Sequence, residues 1–257
     1  MHRALFLALF LAPLAAHAAD HCQYQAPRNL KLDLSGVRVL QVELRSYDLH
    51  LTGNTGANSA ELTGQACASD PKLLDQLVVT QHREGDRLVV EAGGDSHFSI
   101  SLFGSSYTNL ELNLQVPAQL PVVLNVGSGD ATVRGLQQLE AKVGSGDLHV
   151  NDIAGAFVTG VGSGSVEANN VGSLQAGFIG SGEIKVDGIK GDATIGSIGS
   201  GDVSVSHVGG NVRADTLGSG DLTVKDVRGD LNLGAKGSGD VNFHAVAGKV
   251  HVPSDRD

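Results

Sequence analysis

Apolar and polar positions alternate in register through the second half of the chain, aligned on a recurring Gly-Ser-Gly tripeptide. The alternation is typical of short strands that bury one face. A second alternating pair follows in the later copies, as in Leu231/Leu233. Each unit is therefore predicted to hold two short strands joined by two tight corners. The three leading apolar columns are Ala131, Leu148, Val166, Ile184, Val203, Leu222 and Val241; Val133, Val150, Ala168, Val186, Val205, Val224 and Phe243; and Leu136, Ile153, Val171, Ile189, Val208, Val227 and Val246.

The motif that sets this register is Gly-Ser-Gly-Asp or a near copy. Its nearly constant period indicates one unit laid down repeatedly, each copy burying its apolar face against the last. Glycine suits such corners because it adopts positive φ without cost, and a neighbouring Asp or Ser can hydrogen-bond its own turn. The prediction is an all-β, single-chain β-solenoid (β-helix) of about seven 17–19-residue coils over residues 127–252. The seven copies stand at 127–130, 144–147, 162–165, 180–183, 199–202, 218–221 and 237–240.

Residues 19–126 are also β-rich but less regular, and we expect them to form a capping segment continuous with the solenoid. Leu77–Val79 and Leu88–Val90 flank a polar turn at Arg83–Asp86, which predicts a hairpin. Tyr47–Gly53 resembles a degenerate coil. Residues 253–257, which begin with Pro253, form a polar tail expected to blunt the opposite edge.

The first 18 residues predict a secretory signal peptide. His2-Arg3 is a basic head, Ala4–Ala16 is mostly apolar, and Ala16-His17-Ala18 offers a cleavage site. An N-terminal membrane anchor is the alternative, but the stretch is shorter than a bilayer span of roughly 20 residues. We therefore expect an exported, periplasmic or surface protein without a membrane span after cleavage.

Export bears on the chain's only two cysteines, Cys22 and Cys67. An even count in an oxidising compartment predicts a disulfide, with two buried thiols as the alternative. The sequence contains no Cys-x-x-Cys, so nothing indicates a redox site.

Charge and aromatic content exclude several classes of partner. Lys and Arg number 18 against 28 Asp and Glu, a formal net charge of −10, which disfavours nucleic acid and anionic lipid. The absence of Trp, with 3 Tyr and 7 Phe, weighs against carbohydrate and nucleobase stacking. High glycine with 41% apolar residues indicates a folded, turn-rich protein rather than a disordered one.

The stretch Leu110–Asp130, in which a strand, Val-Pro and a second strand lead into Gly-Ser-Gly-Asp, resembles the DUF4097/DUF2807 group of exported bacterial candidate adhesins. The resemblance covers residues 36–252. It implies a β-helical fold and an envelope location, and it brings no catalytic residues.

An aspartate column at the Gly-Ser-Gly-Asp corners is the most prominent candidate site. Calcium bridges stacked turns in nonapeptide repeats, but there the spacing of Gly and Asp differs. We therefore expect a turn-holding role, with calcium binding as the alternative. The column consists of Asp130, Asp147, Asp202, Asp221 and Asp240, interrupted by Ser165 and Glu183.

Three further patterns have ordinary structural explanations. Arg228-Gly229-Asp230 matches the integrin-binding tripeptide but occupies a second corner, where sister coils carry similar turn residues. No Gly-x-Ser-x-Gly nucleophile elbow is supported, because Gly162-Ser163-Gly164-Ser165 belongs to the repeat and its serine lacks an identifiable general base. The histidines His149, His207, His244 and His251 fall at different phases of the coil, which argues against a zinc cluster. A mixed polar set on the first strand is expected to be a solvated face: Thr132, His149, Glu167, Lys185, Ser204, Thr223 and Asn242.

These observations favour a non-enzymatic envelope or cell-surface protein, an adhesin or scaffold that binds through the solenoid surface. No catalytic residue, metal ligand or cofactor is predicted. The expected partner is an envelope or surface protein, or a second copy of the chain, rather than nucleic acid. The alternatives are a periplasmic structural or envelope-stress factor without a stable ligand, and a polysaccharide-acting β-helix enzyme.

Overall fold

Each repeat forms one coil of a parallel β-solenoid with two facing sheets. The computed structural model describes residues 22–93 and 106–254, so the predicted signal peptide lies outside the described residues. We call the sheet that follows each Gly-Ser-Gly corner the first face, and the sheet that precedes the corner the second face. The solenoid strands are β9 (Val122–Val126), β10 (Ala131–Arg134), β11 (Leu139–Val143), β12 (Asp147–Val161), β13 (Ser165–Ile179), β14 (Glu183–Ile189), β15 (Ala193–Ile198), β16 (Asp202–Val208), β17 (Val212–Leu217), β18 (Leu222–Val227), β19 (Leu231–Lys236), β20 (Val241–Val246) and β21 (Val250–His251).

Like residues of successive coils lie side by side, as the period predicts. Ala131 pairs with Leu148, and Leu148 with Val166, one parallel step along the first face each time. The long strands β12 and β13 cross the second corner, so each contributes to both faces. Apart from the last coil, where Val241 and Val246 are partly buried and Phe243 is exposed, the predicted columns are confirmed as the core, with Val205 and Val224 fully buried. The β-solenoid prediction is therefore correct.

The solenoid reaches further toward the N-terminus than the motif does. Strands β3 (Val39–Leu44) and β4 (Asp48–Asn54) form a complete coil that includes the degenerate Tyr47–Gly53 stretch. Strand β3 pairs in parallel with β9, and β4 pairs in parallel with β10. This coil stacks directly under the first motif-bearing one, although a long stretch of chain separates the end of β4 from the start of β9.

The intervening chain passes beneath this coil and closes the end of the solenoid. Strands β7 (Arg87–Ala92) and β8 (Thr108–Pro117) pair in parallel with β3 and β4. Strand β6 (Val79–Glu84) turns back antiparallel on β7, which confirms the predicted hairpin. Antiparallel strands on β8 complete the cap: β5 (Ala60–Ala68) pairs with β8, and β1 (Tyr24–Pro27) and β2 (Leu30–Leu32) pair with β5.

A short helix and the disulfide fasten this cap. Helix α1 (Pro71–Gln76) begins at Asp70, whose carboxylate accepts a hydrogen bond from the Lys72 N–H at 2.8 Å. Cys22 and Cys67 form the predicted disulfide, with a Cα–Cα distance of 5.5 Å. The bridge ties the start of the described chain to β5.

Candidate interaction surface

The Gly-Ser-Gly corners stack so closely that only glycine fits. A Cβ on Gly146 would lie 1.9 Å from the carbonyl oxygen of Gly129, and one on Gly220 would lie 1.8 Å from that of Gly201. No glycine of the motif adopts positive φ, since the described glycines that do are outside it. The expected reason for these glycines was therefore wrong: they permit close approach of backbones rather than a left-handed turn.

The aspartate column bonds to the neighbouring coil instead of its own turn. Oδ1 of Asp202 accepts the Asp221 N–H at 3.0 Å, and Oδ1 of Asp221 accepts the Asp240 N–H at 3.3 Å. The interrupting Ser165 joins the same ladder by donating its hydroxyl to Asp147 at 2.7 Å. The column is a hydrogen-bonded seam between coils. Within residues 22–93 and 106–254, no group of three or more His, Cys, Asp or Glu is placed to hold a metal ion.

Left-handed backbone occurs just before the second corner, at Gly135 directly after β10 and at one position inside each later first-face strand. The φ values of the non-glycine members run from 52° to 59°. Asp, Asn and Gly are the residues that tolerate this conformation best, and their recurrence at this position is the signal that sequence reasoning missed. The column consists of Gly135, Asp152, Asn170, Gly188, His207, Asp226 and Ala245.

A second hydrogen-bonded seam lies just beyond that column. Oδ1 of Asp192 accepts the Asn211 N–H at 2.7 Å, Oδ1 of Asn211 accepts the Asp230 N–H at 3.0 Å, and Oδ1 of Asp230 accepts the Lys249 N–H at 2.7 Å. The Arg228-Gly229-Asp230 tripeptide lies within this seam. The Asp230 carboxylate is thus engaged by the Lys249 N–H of the next coil.

His207 forms an electrostatic clamp between three coils at the left-handed corner. Its Nδ1 lies 2.6 Å from Asp187 Oδ1, and its Nε2 lies 3.7 Å from Asp226 Oδ2. Hydrogen bonds from Ser206 and then His207 hold the pKa of Asp187 below its ordinary value. The same bond to Asp187 raises the pKa of His207 above its ordinary value, with the charge of Asp187 adding to the effect. The imidazolium is the form that both carboxylates favour.

The outward side of the first face is the mixed polar ladder that the sequence predicts. Glu167 pairs with His149 at 3.6 Å on one side and with Lys185 at 3.7 Å on the other. All three side chains are about half exposed, so each ion pair contributes little on its own. This face is a regular, solvated surface.

The second face carries an apolar groove of about 350 Å³. Gly160 and Gly177 leave its floor without side chains, and the Phe178 ring stands at one wall with 62% of its surface exposed. Lys142 and Glu140 lie at the opposite side and pair at 3.7 Å. The groove is the least polar part of an otherwise hydrophilic face.

A bulge explains why Phe178 faces solvent. The pairing of β12 with β13 shifts register between Thr159 and Val161, which lie opposite Ala176 and Ile179. One extra residue in β13 places both Gly177 and Phe178 outside the core. Thr159 lines the groove from beneath, and its buried hydroxyl has no hydrogen-bond partner. Sequence reasoning missed this site because alternation from Leu174 and Ala176 would place Phe178 in the core.

A match between the sequence and a family profile identifies the family. The sequence profile described as Toastrack DUF4097 matches residues 36–257, which is most of the chain. The protein belongs to the Toastrack family. The match begins just before β3, so the family unit starts where the structure places the first full coil. No curated protein sequence matches the chain.

Solved structures resemble the chain at low sequence identity. A candidate lipid-binding protein of Parabacteroides distasonis is 16% identical, with a TM-score of 0.55 over 85% of this chain and 96% of its own. A candidate adhesin of Bacteroides fragilis is 13% identical, with a TM-score of 0.44 over 89% of this chain and 98% of its own. A candidate adhesin of Parabacteroides merdae is 12% identical, with a TM-score of 0.41 over 90% of this chain and 97% of its own. The first of these shares the fold of this chain.

One observation bears on the location of this Toastrack protein. The Cys22–Cys67 disulfide is typical of proteins that fold in an oxidising compartment. Among the described residues, no helix is long and apolar enough to cross a bilayer.

Proposed function

We propose that this Toastrack protein is a non-enzymatic scaffold or adhesin of the cell envelope, which binds an envelope protein or a second copy of itself through its outer surface. The observation that carries the proposal is the apolar groove beside Phe178. A ring that is 62% exposed, standing over a floor of two glycines, costs solubility and has no role in the core. Such a site suits an apolar side chain of a protein partner.

The shape of the molecule supports a binding role. Repeat architectures bury their own apolar columns and leave long regular surfaces, which serve as platforms for protein contacts. The formal charge of −10 keeps such a platform soluble and disfavours anionic polymers as ligands. An envelope location is supported by the disulfide and by the predicted signal peptide at residues 1–18.

The enzyme alternative has a distinct requirement. Polysaccharide cleavage needs an acid and a base held on either side of a bound sugar. In the apolar groove the one carboxylate is Glu140, which is paired with Lys142, so this site lacks that arrangement. Turnover of an acidic polysaccharide, abolished by a single substitution, would support the enzyme instead.

Site-specific cross-linking in intact cells tests the proposal. A photo-reactive residue placed at Phe178 should capture a discrete protein adduct, which mass spectrometry then identifies. The matched control is the same residue at Glu167, which lies in the same coil but on the opposite face. Protease shaving of the same cells shows on which side of the outer boundary the protein lies.

Three outcomes of this experiment contradict the proposal. Equal capture from both positions means that contact is nonspecific. Adducts with lipid alone make the groove a lipid site. No adduct from Phe178, combined with resistance to shaving, leaves a periplasmic structural role.

A further inference from the structure

The last coil of the solenoid, residues 237–254, exposes side chains that every earlier coil buries. Phe243 is 51% exposed, whereas Val224, its partner one coil earlier, is fully buried. Val250 is 39% exposed, whereas its partner Leu231 is 1% exposed. These two residues belong to opposite faces, so within the described residues both faces are uncovered at this end of the apolar interior.

The strands at this end also have one unpaired edge. Strand β20 pairs only with β18, and β21 only with β19, within the part of the chain that the structure describes. Their outer N–H and C=O groups are available for further strand pairing. The other end of the solenoid differs, because antiparallel β5 and β6 cover it.

The formal charge of this coil is balanced, as it also is over residues 127–143 and 218–236. Residues 237–254 contain one acidic residue, Asp240, and one basic residue, Lys249, and their formal charge is zero. The chain as a whole carries −10. Two copies that approach through this coil therefore bring no net charge together, despite the acidic balance of the whole chain.

We propose that two copies of the chain associate end to end through this last coil, related by a two-fold axis. This end presents two edge strands, β20 and β21, with apolar side chains between them. The same end of a second copy would cover both strands and the apolar side chains together. A lone peptide or helix would cover only one edge. The proposal rests on the proposed function in one respect, the choice of a second copy as partner, and it names the surface which that partner uses.

The size of the end determines how tight this contact is. Strand β20 has six residues and is about 20 Å long, β21 has two, and facing sheets lie about 10 Å apart. The apolar end is therefore on the order of 200 Å² for each copy, well below the roughly 800 Å² of a standard interface. Strand pairing adds to it, but the expected dimer is weak and depends on protein concentration. Closure by a two-fold axis occupies both open ends and prevents filaments.

Sedimentation velocity on the purified mature chain tests this proposal, over protein concentrations from about 10 µM to about 1 mM, the range suited to a small interface. We expect a monomer–dimer equilibrium. Phe243→Asp should raise the dimer dissociation constant by about tenfold or more. Val250→Lys should do the same from the opposite face. Both side chains are exposed in the monomer, so thermal melts at low concentration should match the wild type.

The matched control is Phe178→Asp, which removes the other strongly exposed phenylalanine among the described residues. It should leave the dimer intact, even if it abolishes capture of an envelope partner, so the two proposals can fail separately. Small-angle scattering of the dimer should give a maximum dimension about twice that of the monomer, as end-to-end stacking requires. A monomer at every concentration, a dimer no longer than the monomer, or a dimer lost only in Phe178→Asp would each overturn the proposal.

Discussion

Replacing Gly220 by alanine tests whether backbone contact, rather than turn geometry, explains the Gly-Ser-Gly corner. The new Cβ would lie 1.8 Å from the Gly201 oxygen, and real Cβ contacts essentially never fall below 3.0 Å. The two coils must therefore separate locally by at least the difference between these two distances. The three atoms nearest to the new Cβ, in Gly201 and Ser200, all belong to the backbone. No side-chain rotation therefore relieves the clash.

The cost follows from what such a separation breaks. The Ser219 and Gly220 N–H groups donate to Gly199 O at 2.8 and 3.2 Å, and both bonds cross the gap that must widen. Losing two hydrogen bonds costs about 1–3 kcal/mol, and overpacking a rigid site costs a further 1–3 kcal/mol or so. We expect Gly220→Ala to lower the free energy of unfolding by about 2 to 6 kcal/mol.

Two other glycines provide a graded control for this prediction. A Cβ on Gly144 would lie 2.8 Å from the Gly127 oxygen, so Gly144→Ala should cost less. A Cβ on Gly177 would meet nothing closer than 3.8 Å, and Gly177→Ala should stabilise by about 0.4–1 kcal/mol through the unfolded chain. Urea unfolding followed by far-UV circular dichroism measures all three. Equal stabilities for the three variants would refute the close-approach explanation.

Two further predictions concern the core and the left-handed corner. Val205→Asp places an unpaired charge in a fully buried column and should lower the free energy of unfolding in urea by about 3–5 kcal/mol. Ser204→Asp, on the outer side of the same strand, should change the stability little. Equal effects of the two substitutions would contradict the inward assignment of Val205. His207→Asn keeps a residue that tolerates positive φ but removes the imidazolium. Because the folded pKa of His207 is raised, its stabilising contribution is complete below the unfolded pKa of about 6.5 and is lost as pH rises through the folded pKa. The His207→Asn variant should therefore lose more melting temperature near pH 5.5 than near pH 9. This difference should hold down to the acid range in which Asp187 itself takes up protons. A loss of melting temperature that does not depend on pH would refute the clamp.

The sequence was sufficient for the core because the apolar columns repeat. Each buried position has an equivalent one coil away, so a polar or ambiguous residue such as Thr159 can be assigned from its neighbours in register. The same logic identified the degenerate coil at Tyr47–Gly53. It could not show that this coil stacks on β9 and β10, since pairing over such a separation leaves no local pattern.

The candidate groove escaped sequence reasoning for a different physical reason. Whether Phe178 faces the core depends on a one-residue bulge, and an extra residue reverses the assignment of every later position in the strand. The role of the Gly-Ser-Gly glycines was also out of reach. Distances between neighbouring coils decide it, and composition gives the same glycines whether they serve a turn or a contact.

The order in which coils can close during synthesis follows from how β3 is paired. Both of its neighbours come much later in the chain, since Leu40 pairs with Leu88 on one side and with Val122 on the other. Later coils find their partner only one repeat away, as Val203 does in Leu222. A chain that emerges from its N-terminus therefore cannot complete its first coil until residue 126 is out, because only then does β9 exist to pair with β3. From that moment each new coil adds to a finished template, so the slow step of maturation belongs to the first half of the molecule and the second half follows by simple accretion.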